Sequence, residues 1–211
     1  AIRSVEGITL DGNKMEAGSN YFKVPLLYPQ LFQLPDALRP SLQLEFSYTQ
    51  PRSDTKNCSI YSFVAEFTLS EPETKILCLT PLETASDKLS ALVWRVIKRN
   101  RQDENDDPAM IRHLHDLCKL QTEIRDAEAT FIELALMAFE VDMNTWKRRL
   151  DKNLYQAALR ALSVLREDVE YISEYQRFVA SMSYADDSEN IEFDEAIKQF
   201  EGIVGLFQSH S

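Results

Sequence analysis

Apolar and polar positions divide the chain into two parts near residue 80. Before that point they alternate over short stretches, which is the pattern of half-buried strands. The clearest strand is predicted over 42–48, where every second residue is apolar and is expected to face the core: Leu42, Leu44, Phe46 and Tyr48. Shorter strands are predicted over 21–24, 59–69 and 75–79. Pro25, which has no amide hydrogen, is expected to end the first of these.

From residue 80 onward the apolar residues recur every three or four positions, which predicts amphipathic helices. The first helix has a clear start. Thr80 can cap it, Pro81 suits its first position, and Glu83 is placed to reach back to the Thr80 amide. A second helix is predicted to begin at Asp107–Pro108. Three longer apolar stripes are expected to be core packing: 124–141, 154–172 and 193–207.

These patterns together predict an α+β fold. A mainly antiparallel sheet is expected over 1–80, two helices over 81–120, and a helical C-terminal bundle over 121–211. Residues 28–40 hold three prolines and are expected to be irregular. The chain has only 5 glycines among its 211 residues, which favours helices over a turn-rich β fold.

Charge and cysteine content narrow the class of protein. The net charge is −11 and the isoelectric point about 4.8, so any contact with nucleic acid must use a local basic patch. The longest apolar runs are too short to span a bilayer, and no signal peptide opens the sequence. Three cysteines without a C-x-x-C motif are typical of reduced thiols. We therefore expect a cytoplasmic protein without a membrane partner.

The candidate chemistry lies in the first two predicted helices. Lys88, Arg95 and Arg99 fall on one narrow strip of the first helix. Arg112 and Asp116 are four positions apart on the second, so they share a face. One interpretation is a positively charged site. The ordinary alternative is that Lys88 extends from a half-buried helix and that Arg112 and Asp116 form a surface ion pair.

Other kinds of site are disfavoured by the sequence. His113 and His115 are two positions apart on a helix, so their side chains diverge by about 200° and cannot share a metal ion. The sequence holds no glycine-rich phosphate loop, no zinc-binding constellation and no nucleophile motif.

The stretch 79–120 resembles the AbiEii/AbiGii toxin family of bacterial nucleotidyltransferases. The family helix with a Glu-x-x-x-x-Lys-x-x-Ala pattern corresponds to Glu83 through Ala91, with Lys88 as its lysine. The family pattern that follows on the next helix is similar to Arg112 through Asp116. The strand 42–48 is similar to the family strand that brings an acidic residue, here Glu45, beside a metal ion. The resemblance covers roughly residues 1–120.

This resemblance implies a fold and an activity. The fold is a nucleotidyltransferase-like sheet followed by a helical C-terminal region. The activity is transfer of a nucleotide from an NTP, with Mg²⁺, to an acceptor that is thought to be RNA, notably tRNA. The family also implies a separate antitoxin protein. The implied site residues are Glu45 for the metal, Lys88 and Asp116 for catalysis, and Lys88, Arg95 and Arg112 for the nucleotide.

The sequence also departs from the family pattern. Family members carry a glycine-rich helix start and an Asp-x-Asp strand upstream of this region, and neither is present here. We expect either the C-terminal part of a longer toxin, which we favour, or a protein that has lost catalysis. In both cases the chain alone is expected to be inactive. The alternative class is a non-catalytic interaction domain, which would bind a protein through the aromatic-rich segment 21–48 or the last helix.

Overall fold

The computed structural model describes residues 5–18, 21–31, 41–104, 106–182 and 190–210. The fold is α+β, with antiparallel strands in the first part and helices in the C-terminal part, as the sequence predicts. The chain divides into two compact units. The first consists of 1–50 with 179–184, and the second of 51–178 with 185–211. Most of the segment 28–40 lies outside the described residues.

The first unit contains a four-stranded antiparallel sheet. Its strands are β1 (Thr9–Leu10), β2 (Glu16–Ala17), β3 (Tyr21–Leu27) and β4 (Leu42–Ser47). β3 is the central strand, because it pairs with each of the other three. Lys23 of β3 lies opposite Glu16 on one side and Glu45 on the other, and its Nζ is 2.9 Å from the Glu16 carboxylate.

The prediction that Pro25 ends its strand is wrong, since β3 continues through it to Leu27. β1 ends at Leu10 and β2 begins at Glu16, so Pro25 lies opposite the turn between them. Its carbonyl accepts a hydrogen bond from the Asp11 amide at 3.1 Å. The position of its missing amide hydrogen therefore faces a turn, where no strand needs that donor.

β4 forms where the alternating pattern predicts it, but its apolar side is not a core face. Leu42 is 52% exposed, Phe46 57% and Tyr48 76%. The buried apolar side chains of this sheet, among the described residues, include Val24 and Leu26 of β3. Alternation identifies a strand, but it does not say whether a second layer covers the apolar side.

The second unit begins with a separate hairpin of β5 (Lys56–Ile60) and β6 (Thr74–Cys78), with the short helix α1 (Phe63–Thr68) between them. The prediction of a strand over 59–69 is therefore wrong beyond Ile60. The described residues of the sheet that was expected over 1–80 form two sheets instead of one. The Ser62 hydroxyl starts a helix instead, because it caps the Ala65 amide at 3.1 Å.

The other regular elements described in the second unit are helices. Its helices are α2 (Pro81–Lys98), α3 (Arg112–Lys119), α4 (Gln121–Asp126), α5 (Glu128–Met143), α6 (Leu154–Glu167), α7 (Glu170–Met182, whose last turn belongs to the first unit) and α8 (Phe193–Gly205). Two of the predicted stripes are each broken into two helices. The breaks lie at Ala127, whose backbone leaves the helical region at φ −140°, and at Asp168, which accepts a hydrogen bond from the Glu170 amide.

α2 forms the centre of this unit, because it packs against α3, α5 and α6. Its residues Leu89, Leu92 and Val93 are fully buried, as its apolar face predicts. The stripe of the last helix is also core, with Phe200 fully buried where α8 packs against α3 and α6. This packing holds α2 and α3 in a fixed relation, which positions the charged side chains they carry.

Candidate functional site

The start of α2 is fixed by a buried carboxylate. Thr80 Oγ1 accepts a hydrogen bond from the Glu83 amide at 3.2 Å, as expected for a cap. The Glu83 side chain does not complete the predicted capping box. It accepts instead from the Arg52 amide at 2.8 Å, the Ser53 amide at 3.0 Å and the Ser53 hydroxyl at 2.7 Å. The loop at 52–53 is thereby tied to the first turn of α2.

Glu83 is ionised despite being only 2% exposed. Burial alone would raise the pKa of its carboxyl. The hydrogen bonds from Arg52 and Ser53, together with the Arg52 charge, outweigh burial and hold the pKa below its usual value. The glutamate of the first motif is thus a structural anchor for the helix that carries Lys88.

Lys88 and Asp116 form the contact between the two motif helices. The Lys88 ammonium donates to the Asp116 carboxylate at 2.6 Å, across from α2 to α3. The two side chains are 28% and 32% exposed, so the pair is half-buried and open to a ligand. Each helix presents its charge at the edge of its apolar face, and the packing of α2 on α3 brings the two together.

Arg95 and Arg112 share a single carboxylate. Arg95 Nη1 lies 3.4 Å and Arg112 Nη1 3.5 Å from the same oxygen of Asp107. Arg112 also donates to the Ala109 carbonyl at 2.8 Å. The interpretation of Arg112 and Asp116 as a surface ion pair is wrong. The Arg112 side chain is directed toward the 3₁₀ turn at Pro108–Ile111 instead. The predicted start at Asp107–Pro108 is this turn, with α3 following from Arg112.

His113 lies beside these cations, a placement that the sequence did not indicate. Its side chain is buried, with 8% exposed, and its Nδ1 has no hydrogen-bond partner among the described residues. Burial first, and then the charges of Lys88, Arg112 and Arg95, lower the pKa of His113 to about 3. The imidazole is therefore neutral near pH 7, mainly because it is buried and to a lesser extent because cations lie nearby. We call Lys88, Arg95 and Arg112 the cationic cluster.

His115 faces away from the cationic cluster, as the helical spacing predicts. Its ring packs edge-on against Phe178 at 5.5 Å between ring centroids and lies 6.2 Å from Tyr175. The two histidines therefore do not share a ligand.

The loop after α2 is held by a buried arginine. Arg99 is 6% exposed in its side chain and binds Asp106 through two hydrogen bonds of 2.8 Å. It also binds Glu174 of α7 at 2.6 and 2.8 Å, and its guanidinium lies 5.2 Å from the Tyr171 ring centroid. The sequence placed Arg99 on a basic strip beside an exposed loop, because its partner on α7 is 75 positions away. This network fixes the loop that carries Asp107.

A cavity of about 280 Å³ adjoins Arg95 at this end of α2. It is lined by Trp94, Arg95, Lys98, Arg99, Asn100, Asp103, Asp106, Asp107 and Met110. The Trp94 ring is stacked by two guanidinium groups, those of Arg95 at 5.1 Å and Arg148 at 5.3 Å from its centroid. Arg95 thus connects the cationic cluster to the cavity.

Glu45 belongs to the first unit, whereas the other predicted site residues lie together in the second. It is exposed on β4, where it lies opposite Lys23 and accepts a hydrogen bond from Gln43. Across the described ranges, no three His, Cys, Asp or Glu side chains are close enough together to hold a metal ion. Mg²⁺ needs several oxygen ligands, so the described side chains do not by themselves fit its site.

The comparison with protein families identifies the chain. A model of the nucleotidyl transferase AbiEii toxin family, from type IV toxin–antitoxin systems, matches residues 2–199. The chain belongs to this family. The match extends beyond the motifs of α2 and α3 through α7 and into α8. This membership implies a nucleotidyltransferase toxin that has a nucleotide substrate and an antitoxin partner.

The other comparisons give no relatives, since no curated protein and no solved structure matches the chain. In the part of the chain that the structure describes, no helix is both long and apolar enough to cross a membrane.

Proposed function

We propose that the cationic cluster binds the phosphates of an NTP whose nucleotide is transferred to an RNA acceptor. Membership of the AbiEii family supports nucleotide transfer. The observation that carries the phosphate role is that three partly exposed cations of α2 and α3 pair with only two carboxylates, Lys88 with Asp116 and both arginines with Asp107. The charges of these three cations add to burial, the main cause, in lowering the pKa of His113, so all three lie near this residue.

The charge balance suits an anionic ligand. Three cationic side chains face two carboxylates, those of Asp107 and Asp116, so the local charge is positive in a chain whose net charge is −11. Arg95 and Arg112 share one carboxylate, which leaves other guanidinium N–H groups available to phosphate oxygens. Each of these cations is about one-third exposed, so a ligand can reach it.

The two motif residues have separate roles in this proposal. Lys88 neutralises phosphate charge as the nucleotide is transferred. Asp116 is a positioning residue, because its carboxylate holds the Lys88 ammonium at the surface of α2. It supports catalysis through Lys88 rather than by contact with the reacting atoms.

The remaining parts of the proposal rest on the family. Mg²⁺, when bound, would supply charge neutralisation at the triphosphate, and Glu45 as one of its ligands stays a prediction from the family resemblance. The described side chains do not by themselves form a site for the ion. The proposed acceptor is RNA, notably tRNA, and the proposed compartment is the cytoplasm. That the chain alone transfers no nucleotide stays a prediction.

The test is equilibrium binding of each NTP, with Mg²⁺, to the wild-type chain and to Lys88→Ala. A hydrogen bond to a charged group contributes about 1.5–3 kcal/mol, so Lys88→Ala is expected to weaken binding by roughly 10- to 100-fold. The matched control is Lys198→Ala, which removes an exposed lysine of α8 whose side chain is 78% exposed. Equal affinity of the wild type and Lys88→Ala would contradict the phosphate role.

Transfer is tested separately with an NTP labelled at its α-phosphate and a tRNA pool. The complete gene product is expected to label RNA, and Lys88→Ala in that product to lose the activity. Label transfer by the chain alone would overturn the prediction of inactivity. If the complete product binds nucleotide but labels no RNA, the proposal that RNA is the acceptor is contradicted. The proposed phosphate site is not affected by that result.

A further inference from the structure

The hairpin of β5 and β6 carries an exposed apolar surface at its end. Phe63 is 83% exposed, Val64 71%, Phe67 91% and Leu69 93%. We call these four residues the apolar tip. Single exposed apolar residues are common, but four neighbouring large ones on one short element are typical of an interaction site.

The apolar tip is held in a defined conformation. The Ser62 amide donates to Glu73 at 2.8 Å, and the Ser62 hydroxyl also bonds this carboxylate. At the other end of α1, the Ser70 amide donates to the Ala65 carbonyl at 2.9 Å. Both ends of the helix are therefore satisfied by hydrogen bonds. The exposed side chains are displayed on a pre-ordered element, which lowers the entropic cost of binding.

Leu69 shows that the fold does not account for these side chains. Its backbone lies in the left-handed region, with φ 53° and ψ 38°. This conformation favours glycine and is unfavourable for leucine. The Leu69 side chain is almost fully exposed, so it gains no burial within the chain in return. A strained, exposed apolar residue is better explained by a contact outside the chain.

The charges around the apolar tip select the partner. Three exposed glutamates lie close to it in the sequence, Glu66, Glu71 and Glu73. The sequence has no lysine or arginine between Lys56 and Lys75. This acidic rim repels RNA and anionic lipid surfaces, and it repels a second copy of itself. A basic surface is complementary.

We propose that the apolar tip docks an amphipathic protein segment whose apolar side chains are flanked by lysines or arginines. Phenylalanine buries about 150–250 Å² when covered, so Phe63 and Phe67 alone supply roughly 300 Å² or more. A standard interface buries about 800 Å² on each partner. The apolar tip is thus the centre of such an interface, with the glutamates on its rim.

The test uses a synthetic amphipathic helical peptide with a leucine stripe flanked by lysines, labelled for fluorescence anisotropy. The control peptide replaces each lysine with glutamate. The lysine peptide is expected to bind the wild-type chain, and the glutamate peptide is not. Phe67→Ala is expected to weaken binding at least tenfold, because it removes a central aromatic anchor. The matched control, Leu159→Ala, removes a leucine of α6 that is 43% exposed and is expected to bind as the wild type does.

Leu69→Gly separates docking from folding. Glycine relieves the left-handed strain, so the melting temperature is expected to stay level or rise, while peptide affinity falls. Glu66→Lys is expected to lower the affinity for the lysine peptide and to leave the fold intact.

Equal binding of both peptides, or full affinity in Phe67→Ala, would overturn the proposal. A concentration-dependent dimer in sedimentation that Phe67→Ala abolishes would assign the apolar tip to a second copy instead.

Discussion

The neutral state of His113 makes the stability of the chain depend on pH. In the folded protein the pKa of His113 is about 3, whereas an unperturbed histidine titrates near 6.5. Below about pH 6.5 the unfolded chain therefore binds a proton that the native chain does not. The stabilising contribution of His113 is fully present above pH 6.5 and is lost progressively as the pH falls toward 3.

The size of the effect follows from the same two values. One pH unit corresponds to about 1.36 kcal/mol, so lowering the pH to about 5 should reduce the free energy of unfolding by about 2 kcal/mol through this residue. For a chain of this length that is a fall in melting temperature of roughly 4–8 °C. Little is lost to solvent screening, because the His113 side chain is only 8% exposed.

The assay is urea unfolding of the wild type and of His113→Asn at pH 7 and at pH 5. Other titrating groups, His115 included, contribute to both proteins and cancel in the difference. His113→Asn is expected to be less stable at pH 7, through lost packing, but its decrease between the two pH values should be smaller by about 2 kcal/mol. An identical pH-dependent decrease in both proteins would refute the assignment of a buried, neutral His113.

Two further predictions concern the anchors around the site, Glu83 and Arg99, and a third concerns the cysteines. Glu83→Ala leaves the Arg52 and Ser53 donors without their acceptor. Urea unfolding at pH 7 should show a free energy of unfolding that is lower by about 2–4 kcal/mol. This difference from the wild type should shrink as the pH falls below the usual pKa of glutamate, because the pKa of Glu83 is lowered in the folded chain. Arg99→Met leaves the largely buried carboxylates of Asp106 and Glu174 without their cation and should lower the free energy of unfolding by about 3–5 kcal/mol. Limited proteolysis should cut the loop after α2 faster than in the wild type. Native-like stability would contradict the network. In the native chain an alkylating reagent should modify Cys58 and Cys78 before Cys118, since burial raises the pKa of Cys118 to about 12; mass mapping of the labelled peptides decides this.

Local signals in the sequence were sufficient for the elements that depend on neighbouring residues. Thr80 and Pro81 start α2 where they should, and the apolar stripe of α8 is buried as its spacing requires. The signals failed where a short polar side chain overrode composition. Ser62 started a helix within an expected strand, and Asp168 divided one expected helix into two.

The contacts of the candidate site could not be predicted from the spacing of residues along the sequence. Helical geometry placed Lys88 and Asp116 at the edges of their helices, but only the packing of α2 on α3 shows that they meet. Arg112 was four positions from Asp116 and nevertheless pairs with Asp107, since an i,i+4 spacing permits a pair without enforcing it. Arg99 was placed in a basic strip because its partner on α7 is remote in sequence.

The stacking of Arg95 on Trp94 gives the protein its own optical reporter. The chain has two tryptophans, and Trp146 is 79% exposed, whereas Trp94 is in contact with the guanidinium groups of Arg95 and Arg148. A phosphate that draws Arg95 away from the indole changes the cation–π contact and so the emission of Trp94. Occupancy of the cationic cluster can then be followed in unlabelled protein by fluorescence titration, with Trp146→Phe removing the solvent-exposed background.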